Sequence, residues 1–202
     1  MSLLPPSHFY DDLTEDRLKV IATALLDIRY STLAHMSTPH DDNYTKETAV
    51  FGRSRNRLIE LCQSNVHDWL SLANAAMDVT FRIGKVPCRF FKDDPLSPDK
   101  SGFFKRNDVD DLFSPNENDP VVWRFVVESA LTEDDEDHVF FIGYNSFQEK
   151  ISEWLYKAQS TTLHSVDKQT PAPAIFPPVE VGLLDDADTL QDNSSGQKAD
   201  ES

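Results

Sequence analysis

Three arginines lie within five positions of the segment 50–61, VFGRSRNRLIEL, in a chain whose formal net charge is -16. A guanidinium group binds phosphate or carboxylate through a fixed fork of N–H donors, so this segment could form an anion site. Residues four apart share a helix face, which brings Arg53 and Arg57 together with Asn56 beside them, whereas Arg55 points about 200° away from Arg53. We therefore take Arg53, Asn56 and Arg57 as anion-binding candidates. The alternative is that these arginines pair with local carboxylates such as Glu60.

A second basic group follows in residues 82–106, where lysines and arginines are interleaved with phenylalanines. Arg82 and Arg89 are its anion-binding candidates, because both belong to one face of a predicted hairpin. Cations with interleaved aromatic rings can bind single-stranded nucleic acid through phosphate contacts and base stacking. A phosphate-directed protein, either a nucleic-acid or nucleotide binder or an enzyme on a phosphorylated substrate, is therefore one hypothesis. It requires the fold to bring Arg53 and Arg57 to the same side as Arg82 and Arg89.

The opposing hypothesis starts from the acidic excess of 35 Asp and Glu over 19 Lys and Arg. A field of this sign repels nucleic acid and anionic membranes at long range and favours a basic protein partner. The densest acidic groups are Asp108, Asp110 and Asp111, and then residues 133–138. Adjacent carboxylates cannot all face one ion without a dedicated loop, and EF-hand spacing is absent, so we predict a solvated acidic face or a docking surface and no metal site.

The chain has no recognisable catalytic or cofactor motif: GxSxG, HExxH, a Walker loop, GxGxxG and CxxC do not occur. We therefore expect no cofactor and a non-enzymatic protein. Its two cysteines, Cys62 and Cys88, are expected to be buried structural thiols in a reducing, cytoplasmic setting. The start of the chain does not resemble a signal segment, and no apolar run approaches the ~18 residues that span a bilayer, so no membrane association is expected.

Helical periodicity predicts a first helix from Thr14 to His35, and a second from about Thr45 to Gln63. The segment PHDDN between them should supply caps and a turn. Gly52 inside the second helix indicates either a kink or the close approach of another backbone. The segment 66–77 is predicted as a third helix, with Trp69, Leu70, Ala73 and Met77 facing inward.

Residues 79–91 carry the clearest strand signal, a hairpin whose turn, Gly84 and Lys85, suits type II′. Pairing Ile83 with Val86 places Phe81 opposite Cys88 and Val79 opposite Phe90, with six apolar side chains on one face. The other face, with Thr80, Arg82, Pro87 and Arg89, is expected to be a basic outer surface. Pro87 indicates an edge strand, because it cannot donate to a neighbouring strand.

The second half is predicted as a long loop over 92–118, with ordered pieces around Phe103, Phe104, Leu112 and Phe113, and then further short elements. Asp119 and Pro120 favour a helix over 120–131, although its β-branched content would also suit a strand. A strand at 138–144 should lead into a final helix, capped by Ser146 and Glu149 and presenting Phe147, Ile151, Trp154 and Leu155 on one stripe. Gly143, Asn145 and Ser146 would then lie at a helix N-terminus that could hold a phosphate, although the capping box favours a structural role.

These elements predict an α+β fold, with a helical N-terminal half and with a β-hairpin and a further strand packed against helices. We expect one domain over residues 1–157, followed by a disordered proline-rich and acidic tail over 158–202. The function best supported at this point is that of a soluble intracellular protein-interaction or regulatory protein that acts through its acidic surfaces and tail.

Overall fold

The computed structural model describes residues 3–111, 119–130 and 135–157. After a 3₁₀ turn at Pro6–His8, two long helices precede a sheet of six strands, which confirms the α+β fold with a helical N-terminal half. The helices are α1 (Glu15–His35), α2 (Asn43–Gln63) and the one-turn α3 (Asp108–Asp111). The strands are β1 (Leu70–Asn74), β2 (Thr80–Ile83), β3 (Val86–Lys92), β4 (Val122–Glu128), β5 (His138–Tyr144) and β6 (Lys150–Lys157). The predicted tail from residue 158, and the loop anchors Leu112 and Phe113, lie outside the described residues.

Thr14 caps α1 as predicted, whereas α2 begins at Asn43, two residues before its predicted start, and is capped by Asp42 of PHDDN. Thr14 Oγ1 accepts a hydrogen bond from the Arg17 N–H at 3.4 Å, and Asp42 Oδ1 accepts from the Thr45 N–H at 2.7 Å. Asp41 accepts from the Thr38 N–H at 2.9 Å, so PHDDN does form a cap and a turn. The structure gives Gly52 neither of its predicted roles: α2 runs unbroken through it, and a methyl group there would meet nothing within 4 Å.

The strands follow one another across the sheet in chain order. All neighbours are antiparallel except β3 and β4, which run parallel and pair from Arg89 with Arg124 onward. Side chains of α1 and α2 form the main core with one sheet face, together with Phe81, Cys88, Trp123, Phe125 and Phe141. A smaller core on the opposite face contains Phe103 and Tyr144, so the segment after β3 covers that side and Phe103 is a buried anchor, as predicted.

The predicted hairpin is confirmed in its turn and register. Ile83 pairs with Val86, and Phe81 with Cys88. Gly84 has a φ of +58°, and a Cβ at this position would overlap the Asp12 side chain, so the turn strongly favours glycine. Pairing ends at Phe81, so the expected pair of Val79 with Phe90 is not made and the strands separate beyond that point.

Two expectations about the other face of the hairpin are wrong. β3 lies between β2 and β4 and is not an edge strand. Pro87 is tolerated for two reasons. It precedes Arg89, the first residue of β3 that pairs with β4. On the other side, Pro87 and Arg82 form a non-hydrogen-bonded pair, in which the two residues exchange no backbone hydrogen bonds. The face is also not a solvated basic surface, since Thr80 and Arg89 are buried under the segment that follows β3.

The predicted helix over 66–77 is wrong, because residues 70–74 form β1 and pair with β2. Leu70 is buried opposite Ile83, whereas Met77, expected to face inward, is 70% exposed. The predicted helix over 120–131 is also wrong, because this segment is the central strand β4. Both of its faces are covered, which explains an apolar run without strict alternation.

The predicted final helix is wrong as well, since residues 150–157 form the edge strand β6. The preceding turn is built by Asn145, whose Oδ1 accepts from the N–H groups of Phe147 and Glu149, both at 2.9 Å. Phe147 is 81% exposed instead of lying on a buried stripe. The alternative of a phosphate site at a helix N-terminus is also wrong, because residues 146–149 form a turn and lead into β6.

None of the helices in the described ranges is long and apolar enough to cross a lipid bilayer.

Candidate functional site

The helical candidates line a shallow groove between α1 and α2. Arg53, Asn56 and Arg57 face Ile28, Ser31 and His35 across a volume of about 420 Å³. Arg57 Nη1 donates to Glu60 Oε2 at 2.9 Å, and Asn56 Oδ1 accepts from Arg55 Nη1 at 3.0 Å. The helix therefore brings the three residues together as predicted, but part of their bonding capacity is taken by neighbours.

Arg55 has a structural role that spacing alone did not reveal. Its Nε donates to the Ala76 carbonyl at 3.0 Å, and its Nη2 donates to the Ala75 carbonyl. These bonds fasten α2 to the connection between β1 and β2. Arg55, the second arginine of the segment, thus has a structural role.

The hairpin candidates lie across the sheet from the helical ones. Phe81, Ile83 and Cys88 face the helices, so Arg82 and Arg89, which alternate with them, face the other side. Arg89 is buried there, and its Nη1 donates to the Lys105 carbonyl at 3.0 Å. The structure therefore does not bring Arg82 and Arg89 to the groove of Arg53 and Arg57, and the four arginines form no common patch.

A buried ion pair lies beside Arg89. Arg124 and Asp110 are both fully buried, with Nη2 and Oδ2 3.2 Å apart, and Arg124 Nε donates to the Phe103 carbonyl at 3.0 Å. Burial lowers the pKa of Arg124 to about 10, and Asp110 opposes this change. Asp110 therefore does not belong to the solvated acidic face expected for residues 108–111. A charge inside the apolar run VVWRFVV was the available sequence signal for Arg124.

A second buried arginine joins α1 and α2 to one end of the sheet. Arg29 Nε donates to Asp137, Nη1 donates to Glu47 Oε2 at 3.0 Å and Nη2 donates to Ser129 Oγ at 3.0 Å. Burial opposes its positive charge, but the bonds to Asp137 and Glu47 outweigh this effect and raise the pKa of Arg29. Asp137, expected on a solvated face, is thus an internal counterion.

The other acidic residues of this region line an open concavity of about 590 Å³, which we call the acidic concavity. It lies at the carboxyl ends of the parallel strands β3 and β4, next to the start of β5. Its ionisable residues are Lys92, Asp93, Asp94, Glu128, Asp135, Glu136 and His138. Asp135, Glu136 and His138 were in the predicted group of residues 133–138. The others were missed because only strand pairing brings residues 92–94 beside Glu128.

The charge of the acidic concavity is predominantly negative. Lys92 Nζ lies 2.7 Å from Glu47 Oε1, so its charge is matched by a carboxylate outside the concavity. His138 Nδ1 lies 3.3 Å from Glu128 Oε2. Asp93 accepts the N–H of Lys100 at 3.0 Å and orders the lip, while Leu96, 82% exposed, adds an apolar contact there.

A separate cleft of about 530 Å³, which we call the Arg89 cleft, is lined by residues of both sheet faces: Arg89 from one face, and Val79 and Phe90 from the face that packs against the helices. Phe51, Phe90 and Met77 contribute apolar surface to its lining, and its charged residues are Arg89, Lys92, Lys100, Asp78 and Glu47. Phe51 stacks on Phe90 with ring centroids 5.5 Å apart. Of the five predicted anion-binding residues, only Arg89 lines this cleft.

Neither cysteine is placed for nucleophilic or metal chemistry. Both thiols are free and buried, as expected. Burial raises the pKa of Cys62 to about 11 and that of Cys88 further still, which keeps both protonated at neutral pH. Within residues 3–111, 119–130 and 135–157, no three His, Cys, Asp or Glu side chains are grouped to hold a metal ion.

Comparison of the chain with protein-family models, with curated proteins and with solved structures finds no match.

Proposed function

We propose that this is a non-enzymatic binding protein, which receives a basic segment of a partner protein in the acidic concavity. The observation that carries the proposal is the convergence of Asp94, Glu128, Asp135 and Glu136 on one open surface at the end of the parallel strands. Complementary charge raises the rate of association and selects the partner. A segment rich in lysine and arginine, with an apolar residue to contact Leu96, matches this surface.

The surroundings of the acidic concavity support a preorganised site. Ser129, on its wall, is tied to Arg29, which also holds Asp137 and Glu47. Side chains held in place before a partner arrives lose little freedom on binding, which favours affinity. The positive charge of Arg29 is balanced by Asp137 and Glu47. The negative charge of the acidic concavity therefore remains available to a partner.

Affinity capture from a cell extract tests the proposal with two variants of equal charge change. Asp94→Asn, Glu128→Gln and Glu136→Gln together remove three charges from the concavity. Asp11→Asn, Asp27→Asn and Asp68→Asn remove three exposed charges elsewhere. We expect basic proteins to be captured by the parent and by the control but lost by the concavity variant. Equal capture by all three proteins would contradict the proposal.

The second element of the proposal is the segment 158–202, which includes the proline-rich run QTPAPAIFPPVEV. Extended proline segments and short acidic motifs bind partners at a small ordering cost. Captured partners should therefore differ between the full chain and a chain ending at residue 160, and identical partner sets would remove this segment from the proposal. We place the protein in the cytoplasm, an assignment supported by its two free, buried thiols.

A further inference from the structure

Arg89 is a buried cation that, within the described ranges of the chain, makes no ion pair. It is 9% exposed, its Nη1 donates to the Lys105 carbonyl at 3.0 Å, and its guanidinium carbon lies 5.1 Å from the centre of the Phe91 ring. In the part of the chain that the structure describes, no carboxylate oxygen lies within ion-pair distance of it. A buried charge in a stable fold is normally paired, so Arg89 has unused capacity for an anion.

Among the described residues, the Nε and Nη2 groups of Arg89 have no hydrogen-bond partner. They lie on one edge of the planar guanidinium, and together they match the two oxygens of a carboxylate in a bidentate contact. The Nη1 bond to the Lys105 carbonyl fixes the group from the opposite side. The guanidinium is thus held in place with one donor edge free, and the space beside it is the Arg89 cleft.

The surrounding charges favour a ligand with a single negative charge. Burial lowers the pKa of Arg89 although Asp110 and Asp78 oppose this change, so these carboxylates compensate its charge incompletely. Lys100 adds positive charge at the lip of the cleft. Asp78, however, also lines the cleft and keeps its own partners, accepting from Asn107 Nδ2 at 3.1 Å. A second ligand charge would therefore be repelled.

The rest of the Arg89 cleft suits an apolar body. Phe51 and Phe90 provide stacked rings, while Tyr44 and Met77 at the rim are 78% and 70% exposed. A volume of about 530 Å³ lies within the range of pockets for small organic ligands. Large apolar side chains left exposed around a pocket with one fixed polar group are typical of a ligand site.

We propose that the Arg89 cleft binds a small monocarboxylate with an aromatic or aliphatic body, whose two carboxylate oxygens accept from Arg89 Nε and Nη2. The apolar body lies along Phe51 and Phe90. The cleft shares only Lys92 with the acidic concavity, so this ligand site does not depend on the proposed partner site.

Titration of the full chain with 3-phenylpropionate and hexanoate, followed by ¹H–¹⁵N chemical shifts, tests this site. The uncharged amides of the two acids are the matched ligands. We expect shifts at residues 77–79 and 89–92, and binding of the amides weaker by roughly tenfold, which corresponds to about 1.4 kcal/mol. The proposal is overturned if neither acid binds below ~10 mM, if acid and amide bind equally, or if the shifts lie elsewhere.

Three variants locate the contact. Arg89→Gln should weaken carboxylate binding roughly tenfold while leaving amide binding nearly unchanged, whereas Arg82→Gln, on the same sheet face but outside the cleft, should change neither. If Arg89→Gln does not fold, Met77→Asp decides the question, because it adds a negative charge at an exposed rim position. It should weaken binding of the acids and spare the amides. Unchanged affinity for the acids in this variant would refute the site.

Discussion

Arg124 Nη2 donates to Asp110 Oδ2 at 3.2 Å between two side chains that are both fully buried. Removing one partner of a buried pair leaves an uncompensated charge, which costs about 3–5 kcal/mol. We predict that Asp110→Asn lowers the free energy of unfolding by this amount in urea denaturation. Arg57→Gln, which breaks the exposed pair with Glu60, should change it by less than about 1 kcal/mol. Similar losses in the two variants would contradict the buried pair's role.

Two glycines allow a matched test of packing. A methyl group at Gly143 would lie 2.8 Å from Trp123 and 2.9 Å from Pro120, whereas one at Gly52 would meet nothing within 4 Å. Gly143→Ala should therefore destabilise the fold by about 1–3 kcal/mol through overpacking. Gly52→Ala should stabilise it by up to about 1 kcal/mol, the difference in helix propensity. Thermal unfolding of both variants checks the two signs, and a stable Gly143→Ala protein would contradict the packing around β5.

The segment before β6 forms a turn, whereas a capping box of Ser146 and Glu149 predicted the start of a helix there. Asn145 Oδ1 accepts two backbone N–H groups, whereas Ser146 is exposed and makes no side-chain hydrogen bond among the described residues. Asn145→Ala should lower the free energy of unfolding by about 1–2 kcal/mol, and Ser146→Ala should have little effect. The reverse order in urea denaturation would favour the capping box.

The pH dependence of stability should include a contribution from Asp78. Hydrogen bonding from Asn107 Nδ2 lowers the pKa of Asp78. A carboxyl whose pKa is lower in the folded chain stabilises the fold above its unfolded pKa, and this contribution is lost as the pH falls through the folded pKa. The stability difference between the parent and Asp78→Asn should therefore shrink below about pH 4. Urea denaturation between pH 7 and pH 3 measures it, with Asp68→Asn as the control, and a constant difference would contradict the assignment.

Local chemistry was sufficient to predict some elements. Thr14 and Asp42 cap their helices through residues three positions away, and the positive φ of Gly84 suits glycine at its turn. Of the three predicted helices that proved to be strands, two also carried local cap signals, Asp119 with Pro120 and Ser146 with Glu149, and strand pairing overrode these signals. Leu70 belongs to β1 because Ile83 lies beside it, and Trp154 belongs to β6 because Phe141 pairs with it. Strand pairing of this kind depends on the whole sheet and leaves only a weak periodic signal.

The candidate sites depended even more on tertiary structure. Helical spacing grouped Arg53 with Arg57, but only the sheet determines that Arg89 lies on the opposite side. The acidic concavity likewise joins Asp94 to Glu128, which are distant in sequence and adjacent only because β3 and β4 run parallel. Composition predicted the sign of its charge, and strand topology determines its position.

The central claim is that a basic partner segment binds in the acidic concavity, and chemical-shift mapping tests it most directly. The ¹⁵N-labelled full chain is titrated with a synthetic peptide of alternating lysine and leucine. The proposal predicts that the largest shifts fall at residues 92–96, 128–130 and 135–138, and that they weaken at about 1 M salt, where the Debye length is about 3 Å. Shifts spread evenly over exposed acids such as Asp11, Asp27 and Asp68, with none concentrated in the concavity, would contradict it.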